Sequence, residues 1–468
     1  MQERHVDVAV IGAGSAGLGA YRSALEWTPN VVMIEGGPYG TTCARVGCMP
    51  SKLLIAAAEA AHASEQASEF GVNTGSVAVD GVAVMDRVRR ERDRFVGFVV
   101  ESVDNIPAEH KLVGNAVFIN DNTLMVGDHT RVSAKRIVIA TGSSPAWPRH
   151  LEAAEDRLIV NDDVFDWQDL PESVAVFGPG VIGLELGQAL HRLGVRVHMF
   201  GIQSIVGPLT DPAIRSYAEK TFSEEFFLDA DANVTSIERS DKGVSIGYLD
   251  DEGNEQTISV DYLVAATGRR PNVFGLSLEN TSLLLDERGV PVVNERTMQI
   301  GDTHVFLAGD ATNTKPLLHE ASDEGRIAGR NAGRYPNVEE GFRRSPLGVV
   351  FSDPQIAMVG STYKELEHRN IVVGSVSFED QGRSRVMLKN KGLLHVYAEA
   401  TTGRFLGAEM IGPSAEHIGH LLAWAHQQGL TINDMLSMPF YHPVVEEGLR
   451  TALRNACAQL ADCGLRAA

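Results

Sequence analysis

Two short, mostly apolar runs carry the clearest pattern in the chain. They are residues 6–11 (Val-Asp-Val-Ala-Val-Ile) and residues 174–177 (Val-Ala-Val-Phe). A glycine-rich turn follows each run, and a stretch of helical character follows each turn, ending near Trp27 or Leu193. Short apolar runs of this kind are typical of strands buried on both faces of a parallel sheet. The pattern therefore predicts two β–turn–α units in one chain.

The first turn has the pattern G-x-G-x-x-G at Gly12, Gly14 and Gly17. The first glycine permits a tight turn, the second lets the backbone approach a pyrophosphate, and the third lets helix and strand pack closely. The following helix N-terminus offers unpaired N–H groups to the phosphates. The next apolar run ends at Glu35, at the spacing of a carboxylate that binds ribose hydroxyls. This unit predicts a dinucleotide site.

The second turn repeats the pattern at Gly178, Gly180 and Gly183. Two dinucleotide sites imply two cofactors and electron transfer between them. The ribose position after the next strand, residues 195–200, is Gly201, and no Arg or Lys follows it immediately. An acidic residue there would favour NAD and a nearby Arg would favour NADP. The choice between NAD and NADP stays open at this point.

Composition narrows the class of protein. The chain has 468 residues, enough for two or three domains, and a formal net charge of −20, which argues against nucleic-acid or lipid-surface binding. No apolar run approaches the roughly 20 residues of a membrane span. The N-terminus lacks a basic region followed by a signal core, so we expect a cytoplasmic protein.

Four cysteines in a chain of this length do not make a structural disulfide framework. Cys43 and Cys48 form a close pair, which is typical of a catalytic or a metal-binding site. No second Cys or His cluster has ligand spacing, so the pattern favours catalysis and predicts no metal site. Cys457 and Cys463 are expected to be buried or idle thiols.

Further segments give the chain its resemblance to the FAD-dependent pyridine nucleotide–disulfide oxidoreductases, and within them to the dihydrolipoyl dehydrogenases. The pair lies in Thr-Cys-Ala-Arg-Val-Gly-Cys-Met-Pro-Ser-Lys, and a Phe-Tyr-His-Pro-Val-Val-Glu-Glu segment stands near the C-terminus. The other similar segments are 139–142, 265–272, 305–311 and 350–357.

This resemblance implies the architecture. It is an α/β fold with two Rossmann-like dinucleotide-binding domains and a C-terminal α+β dimerisation domain. The FAD domain would cover residues 1–150 and 271–345, the NAD(P) domain 151–270, and the interface domain 346–468. The resemblance also implies a homodimer in which each active site takes its histidine from the other subunit.

The resemblance further implies a relay of electrons from dihydrolipoyl groups through the Cys43–Cys48 disulfide and FAD to NAD⁺. Cys43 would form the mixed disulfide with substrate, and Cys48 would face the flavin. Both thiols need a lowered pKa, which a helix beginning nearby would favour. His442 would be the general base, oriented by Glu447. A lipoyl-bearing protein of a 2-oxo acid dehydrogenase or glycine-cleavage complex is the implied partner.

The remaining site residues also come from the resemblance. FAD contacts are expected at Gly12, Gly14, Gly17, Glu35, Thr42, Ala116 and Asp310. Nicotinamide-dinucleotide contacts are expected at Gly178, Gly180, Gly183 and Gly268. Lys52 and Glu185 match an ion pair beside the flavin.

Several positions depart from the lipoamide pattern. They are Thr41, the Ala44-Arg45 dipeptide, Gly201, the segment 318–320 and Tyr441. They leave two alternatives open: a reductase driven by NAD(P)H that acts on another small-molecule or protein disulfide, and a structural or redox-sensing flavoprotein with little turnover.

Overall fold

The computed structural model describes residues 1–461, which form two compact units. The first unit comprises Met1–Leu53, Asp86–Ala146 and Gly268–Arg343. The second comprises Leu54–Met85, Trp147–Thr267 and residues 344–461. Both units contain helices and strands, and the predicted α/β class is confirmed. The division into three domains stays a prediction.

The strands, in chain order, are β1 (Gln2–Ile11), β2 (Val31–Glu35), β3 (Lys111–Val113), β4 (Ala116–Asn120), β5 (Thr123–Val126), β6 (Thr130–Ile139), β7 (Ser143–Pro145), β8 (Leu158–Val160), β9 (Ser173–Phe177), β10 (Arg196–Phe200), β11 (Phe227–Asp229), β12 (Asn233–Ser240), β13 (Gly243–Leu249), β14 (Glu255–Val260), β15 (Tyr262–Ala265), β16 (Arg269–Pro271), β17 (Val305–Leu307), β18 (Leu347–Val350), β19 (Gln355–Gly360), β20 (Ile371–Ser377), β21 (Leu393–Glu399) and β22 (Phe405–Gly412).

The α-helices are α1 (Ser15–Leu25), α2 (Thr42–Val46), α3 (Cys48–Gln66), α4 (Gly81–Asp104), α5 (Asn161–Val164), α6 (Val181–Arg192), α7 (Pro212–Ser223), α8 (Leu318–Arg334), α9 (Tyr363–Leu366), α10 (Gly382–Val386), α11 (Ala415–Gln427), α12 (Ile432–Leu436) and α13 (Glu447–Cys457). Short 3₁₀ turns occur at Ala67–Phe70, Ala108–His110, Arg149–Arg157, Leu278–Asn280 and Gly309–Thr312. Within residues 1–461, none of the helices combines the length and the apolar character that crossing a membrane requires.

The first unit is built on one sheet with the strand order β3-β2-β1-β6-β5-β4, and β17 also pairs with β6. Strands β2, β1, β6 and β17 run parallel. Ala9 and Ile11 of β1 pack into one hydrophobic core, and Val8 and Val10 pack into another. Successive side chains of a strand point to opposite faces, so a strand covered on both faces needs a continuous apolar run. This confirms the strand predicted at residues 6–11.

The second unit contains three sheets. A parallel sheet has the order β11-β10-β9-β15-β8, and an antiparallel meander joins β12, β13 and β14. A third, antiparallel sheet has the order β18-β19-β22-β21-β20. Every residue of β9 is buried, as the apolar run at 174–177 predicts.

A buried carboxylate fastens the antiparallel sheet of the second unit to the loop before α7. Glu409 of β22 is fully buried and accepts hydrogen bonds from the backbone N–H groups of Thr210 (2.7 Å), Asp211 (2.9 Å) and Tyr363 (2.8 Å). Asp211 in turn is the N-cap of α7, and its Oδ2 atom accepts a hydrogen bond from His395 Nδ1 at 2.7 Å. A carboxylate held by several N–H donors is stabilised in its charged form, which offsets the cost of its burial.

Helices α1 and α8 of the first unit approach each other at the backbone. A Cβ atom on Gly329 of α8 would overlap the backbone of Ala20 in α1, and one on Gly325 would overlap Ala16. These glycines let α8 pack flat against α1, behind the glycine-rich turn.

We expect Gly329→Ala to lower the free energy of unfolding by about 1–3 kcal/mol, because the backbone of α1 has to move away from the new methyl group. Gly97→Ala is the matched control, since Gly97 lies in helix α4 with no atom of the described chain within 4 Å of its Cβ position. This control should raise the free energy of unfolding by about 0.5–1 kcal/mol, because alanine has a higher helix propensity than glycine. Urea unfolding followed by circular dichroism measures both, and equal midpoints would contradict the close packing.

Candidate active site

The first glycine-rich turn leaves β1 at the carboxyl edge of the first unit's sheet. Gly12 has φ 108°, and a Cβ there would overlap the carbonyl oxygen of Ala140 at the end of β6. A Cβ on Gly17 would overlap the carbonyl oxygen of Gly12. Both positions exclude side chains because three backbone segments meet there. The predicted roles of Gly12 in the turn and Gly17 in helix–strand packing are therefore visible in the geometry.

The same turn leaves room for a ligand at its middle glycine. No atom of the described chain lies within 4 Å of a Cβ built on Gly14, which is the N-cap of α1. Thr141 directly follows Ala140, which contacts the turn. Its hydroxyl is buried and has no hydrogen-bond partner among the described residues. A buried hydroxyl without a partner usually belongs to a site for a missing polar group. Open space and an unpaired hydroxyl fit the pyrophosphate and ribose of FAD.

Two carboxylates of the first unit stand at the ends of its strands. Glu35 ends β2, and it accepts hydrogen bonds from the backbone N–H groups of Ala13 (2.7 Å) and Gly37 (2.8 Å). Asp310 follows β17 and accepts from the Ser143 hydroxyl at 2.9 Å. The carboxyl ends of parallel strands form the edge where dinucleotides bind. Glu35 and Asp310 thus lie where the sequence predicts FAD contacts, and their binding roles stay predictions.

The other two predicted FAD contacts also lie in the first unit. Thr42 is the first residue of α2, and Ala116 is a buried residue at the start of β4. Ser143, which holds Asp310, was not singled out from the sequence, although it directly follows the predicted 139–142 segment.

The two cysteines of the close pair lie on adjacent short helices and contact each other. Cys43 is in α2 and Cys48 begins α3. Both are free thiols, and their side chains are hydrogen-bonded to each other. Thr41, with φ 59°, caps α2 by accepting a hydrogen bond from Ala44 N–H at 3.3 Å. The two thiols are thus close enough to interact, and their role as a dithiol–disulfide pair stays a prediction.

The charge state of the pair differs from the sequence-based expectation. The hydrogen bond with Cys48, burial and the charge of Cys48 all raise the pKa of the Cys43 thiol, and the Lys52 ammonium only partly offsets them. The expectation that both thiols have a lowered pKa is wrong for Cys43 in the dithiol state. The physical reason is that two adjacent thiols share their protons, so ionising one makes ionising the other harder.

The second unit repeats the turn geometry of the first. Gly178 has φ 101° and its Cβ would lie 2.5 Å from the carbonyl oxygen of Ala266, while a Cβ on Gly183 would overlap Gly178. Gly180, the N-cap of α6, again has no atom of the described chain within 4 Å of its Cβ position. This agreement at three positions marks a second dinucleotide-type turn.

The other residues predicted beside the cofactors are placed as follows. Glu185 is buried in α6 and accepts a hydrogen bond from the backbone N–H of Phe351 at 3.0 Å. Gly268 has φ 133° and belongs to the first unit, as does Lys52. The ion pair between Lys52 and Glu185, and the nicotinamide contact of Gly268, stay predictions.

His442 and Glu447 are brought together at the start of α13. His442 Nδ1 lies 3.0 Å from Glu447 Oε2, and the other carboxylate oxygen accepts a hydrogen bond from Arg450 at 2.9 Å. Although burial raises it, the pKa of Glu447 is lowered overall by its hydrogen bond to His442, by Val444 N–H and by the charges of His442 and Arg450. The imidazole itself is exposed, with 80% of its side chain accessible. An anchored carboxylate behind an exposed imidazole can orient a general base.

Comparison with family models identifies the chain over most of its length. The model described as pyridine nucleotide-disulphide oxidoreductase matches residues 6–325, and the dimerisation domain of the same family matches residues 347–453. The chain belongs to this family. Members of this oxidoreductase family use FAD and a nicotinamide dinucleotide, in agreement with the two turns.

Individual relatives carry different names. The chain is 30% identical to a mercuric reductase of Streptomyces lividans, with 97% of each chain covered. It is also 30% identical to dihydrolipoyl dehydrogenase 3 of Pseudomonas putida, covering 96% of this chain and 97% of that one. The HOCl-induced flavoprotein disulfide reductase RclA of Escherichia coli, as a Cu(II) complex, shares the fold with a TM-score of 0.81 at 22% identity, over 96% and 99% of the chains.

The other cysteines and possible metal ligands complete the comparison with the sequence. Cys457 is fully buried, which confirms the first part of the expectation, but it takes part in a disulfide, so the expectation of a thiol at this position is wrong. Cys463 lies outside the described residues. Between residues 1 and 461, the structure shows no group of three or more His, Cys, Asp or Glu side chains arranged to hold a metal ion.

We expect Gly14→Val to abolish flavin binding without unfolding the protein. The backbone there has φ −77° and ψ −170°, a conformation that valine adopts readily, and the new side chain enters only the open space beside the turn. The ratio of flavin to protein after purification should fall by about tenfold or more.

Gly180→Val is the matched control, because Gly180 has nearly the same backbone conformation in the second turn. This variant should keep its flavin and lose binding of the nicotinamide dinucleotide. Retention of flavin by Gly14→Val would show that the first turn is not the flavin site.

Proposed function

We propose that this member of the family is a dihydrolipoyl dehydrogenase that passes electrons from dihydrolipoyl groups to NAD⁺. The observation that carries the proposal is the contact between Cys43 and Cys48 at the start of α3, in the unit that holds the first dinucleotide turn. Relatives named dihydrolipoyl dehydrogenase, at 27–30% identity, support this choice of substrate.

The chemistry of the cysteine pair is a thiol–disulfide exchange. In the oxidised enzyme, one substrate thiolate attacks the Cys43 sulfur, breaking the Cys43–Cys48 bond and leaving Cys48 as a thiolate. The second substrate thiol then displaces Cys43 and leaves as the lipoyl disulfide, so the substrate loses two electrons and the pair gains them. FAD, held at the turn of Gly12, Gly14 and Gly17, would supply the two-electron transfer from the pair to NAD⁺.

His442 supplies the proton transfer that this exchange needs. It accepts the proton of the attacking substrate thiol, and Glu447 holds the imidazole and stabilises its cation. Lys52, one turn after Cys48 on α3, provides a positive charge that favours thiolates in the pair.

We further propose a homodimer in which His442 serves the cysteine pair of the partner subunit. The dimerisation-domain match supports this assembly. So does α11 in that region, which exposes 43% of Leu421 and 67% of Trp424. Large apolar side chains that are exposed on one helix are typical of a protein interface. The proposed partner is a lipoyl-bearing protein of a 2-oxo acid dehydrogenase or glycine-cleavage complex.

A second candidate function is favoured by the residue before the histidine. Tyr441 exposes 79% of its side chain beside His442, where the dihydrolipoyl dehydrogenase pattern has a small residue. A bulky ring at this place would favour another disulfide as substrate. The alternative is then a reductase driven by NAD(P)H.

Purified protein mixed with dihydrolipoamide and NAD⁺ should form NADH, and Cys48→Ser should lose this activity while keeping its flavin. The physical reason is that a hydroxyl cannot form the disulfide through which the electrons pass. NADH absorbance and flavin content measure the two effects. Absence of NADH from flavin-loaded wild type would reject the lipoamide assignment, and unchanged turnover of the variant would reject the relay.

We expect His442→Gln to lower dihydrolipoamide turnover by about 10²–10⁴-fold, the range for removal of a general base. Electron transfer from NADH to ferricyanide should remain, because it does not require proton transfer at the dithiol. His368→Gln is the control, since His368 is also exposed and also lies beside a glutamate. Equal losses in both variants would contradict the role of His442.

A further inference from the structure

We propose that the chain selects NAD(H) over NADP(H), and that Asp231, at the end of the neighbouring strand, supplies the negative charge that excludes the 2′-phosphate. This inference rests on the proposed function in one respect, namely that the second turn binds the nicotinamide dinucleotide. It goes beyond that function by naming the residues that set the preference.

Position 201, where an acidic side chain would normally meet the ribose, is closed to side chains. A Cβ on Gly201 would lie 2.7 Å from the carbonyl oxygen of Ala230 and 2.7 Å from the ring of Pro179. Two backbone hydrogen bonds hold this position. Gly201 N–H donates to the carbonyl oxygen of Asp229 (2.7 Å), and Ala232 N–H donates to the carbonyl oxygen of Gly201 (3.0 Å). The missing acid at this position is therefore a consequence of close backbone packing.

Two other carboxylates reach the same edge of the sheet. Strand β11 pairs in parallel with β10, with Asp229 opposite Phe200, so both strands end beside the second dinucleotide turn. Asp229 Oδ1 accepts a hydrogen bond from the N–H of Asp231 at 3.1 Å. The carboxyl ends of such strands form the binding crevice of doubly wound folds.

The loop after β10 is shaped around Asp231. Gln203 and Ser204 both have left-handed backbone conformations, with φ 58° and 51°. The turn directs the N–H of Gln203 onto Asp231 Oδ1 at 2.6 Å. Asp231 is an exposed residue, so its carboxylate is accessible to a ligand at this edge.

The local charge is negative. Burial raises the pKa of Asp229, the charges of Asp251 and Asp231 raise it further, and the hydrogen bond from Asp231 N–H partly offsets them. The sequence has no Lys or Arg from Gly201 through Asp211. The nearest preceding cation, Arg196, begins β10 and donates to the Ser259 carbonyl, about 13 Å along the strand from Phe200. A 2′-phosphate would meet repulsion from Asp231 here, and the segment 201–211 supplies no cation to pair with it.

The test is a calorimetric titration of flavin-loaded protein with ADP-ribose and with 2′-phospho-ADP-ribose, which measures recognition without any redox reaction. Wild type should bind ADP-ribose about a hundredfold more tightly. Asp231→Asn keeps an acceptor for Gln203 N–H. It should lower the ratio of the affinity for ADP-ribose to the affinity for 2′-phospho-ADP-ribose about tenfold. The double variant Gln203→Arg/Asp231→Asn should narrow it further, because it adds a cation that pairs with phosphate.

Asp241→Asn is the matched control, since it removes the same charge from the turn at the other end of β12 and should leave the ratio of the two affinities unchanged. Rates of flavin reduction by NADH and NADPH should follow the same order. If wild type binds the two ligands with nearly equal affinity, the proposal is overturned whether or not the variants fold. If folded Asp231→Asn keeps the affinity ratio of wild type, the proposal is also overturned. Failure of both ligands to bind would instead reject the nucleotide site, and lack of lipoamide activity alone would leave the preference standing.

Discussion

The structure depends on backbone segments that approach each other too closely to allow side chains. In each dinucleotide turn, the carbonyl oxygen of the first glycine occupies the place where a Cβ on the third would stand. This contact fixes the first residues of α1 against β1, and those of α6 against β9. The N-terminal N–H groups of each helix are then presented at the carboxyl edge of a parallel sheet, where they can meet phosphates. Glu35, at the end of β2, comes to the same edge because β2 runs parallel to β1.

Much of this arrangement could be predicted from the sequence, for physical reasons that are local. A strand buried on both faces needs an apolar residue at nearly every position, so the apolar run at residues 174–177 predicts β9. The turn follows from glycine spacing, and Glu35 from the fixed distance between successive strands. The His442–Glu447 pair is also local, because five positions bring the two side chains together where α13 begins.

What the sequence did not show depends on contacts between distant positions. Ser143 holds Asp310 across 167 positions, and Glu409 holds Thr210 across 199. No periodicity or spacing can report such pairs, because they arise only when the strands are in register. The pKa of Cys43 was missed for another reason. A helix beginning at Cys48 favours a thiolate, but the hydrogen bond with the Cys48 thiol and burial raise the pKa of Cys43.

The two turns also show how a fold separates the binding of a dinucleotide from the choice between dinucleotides. Both use the same three glycines in the same geometry. In the first unit, the carboxylate is that of Glu35 at the end of β2, and it accepts a hydrogen bond from Ala13 N–H in the turn itself. In the second unit, the equivalent position is sterically closed, and carboxylates come from β11, one strand further out. The first and third glycines of each turn have no room for a side chain, whereas the strand ends around the turn carry different residues in the two units.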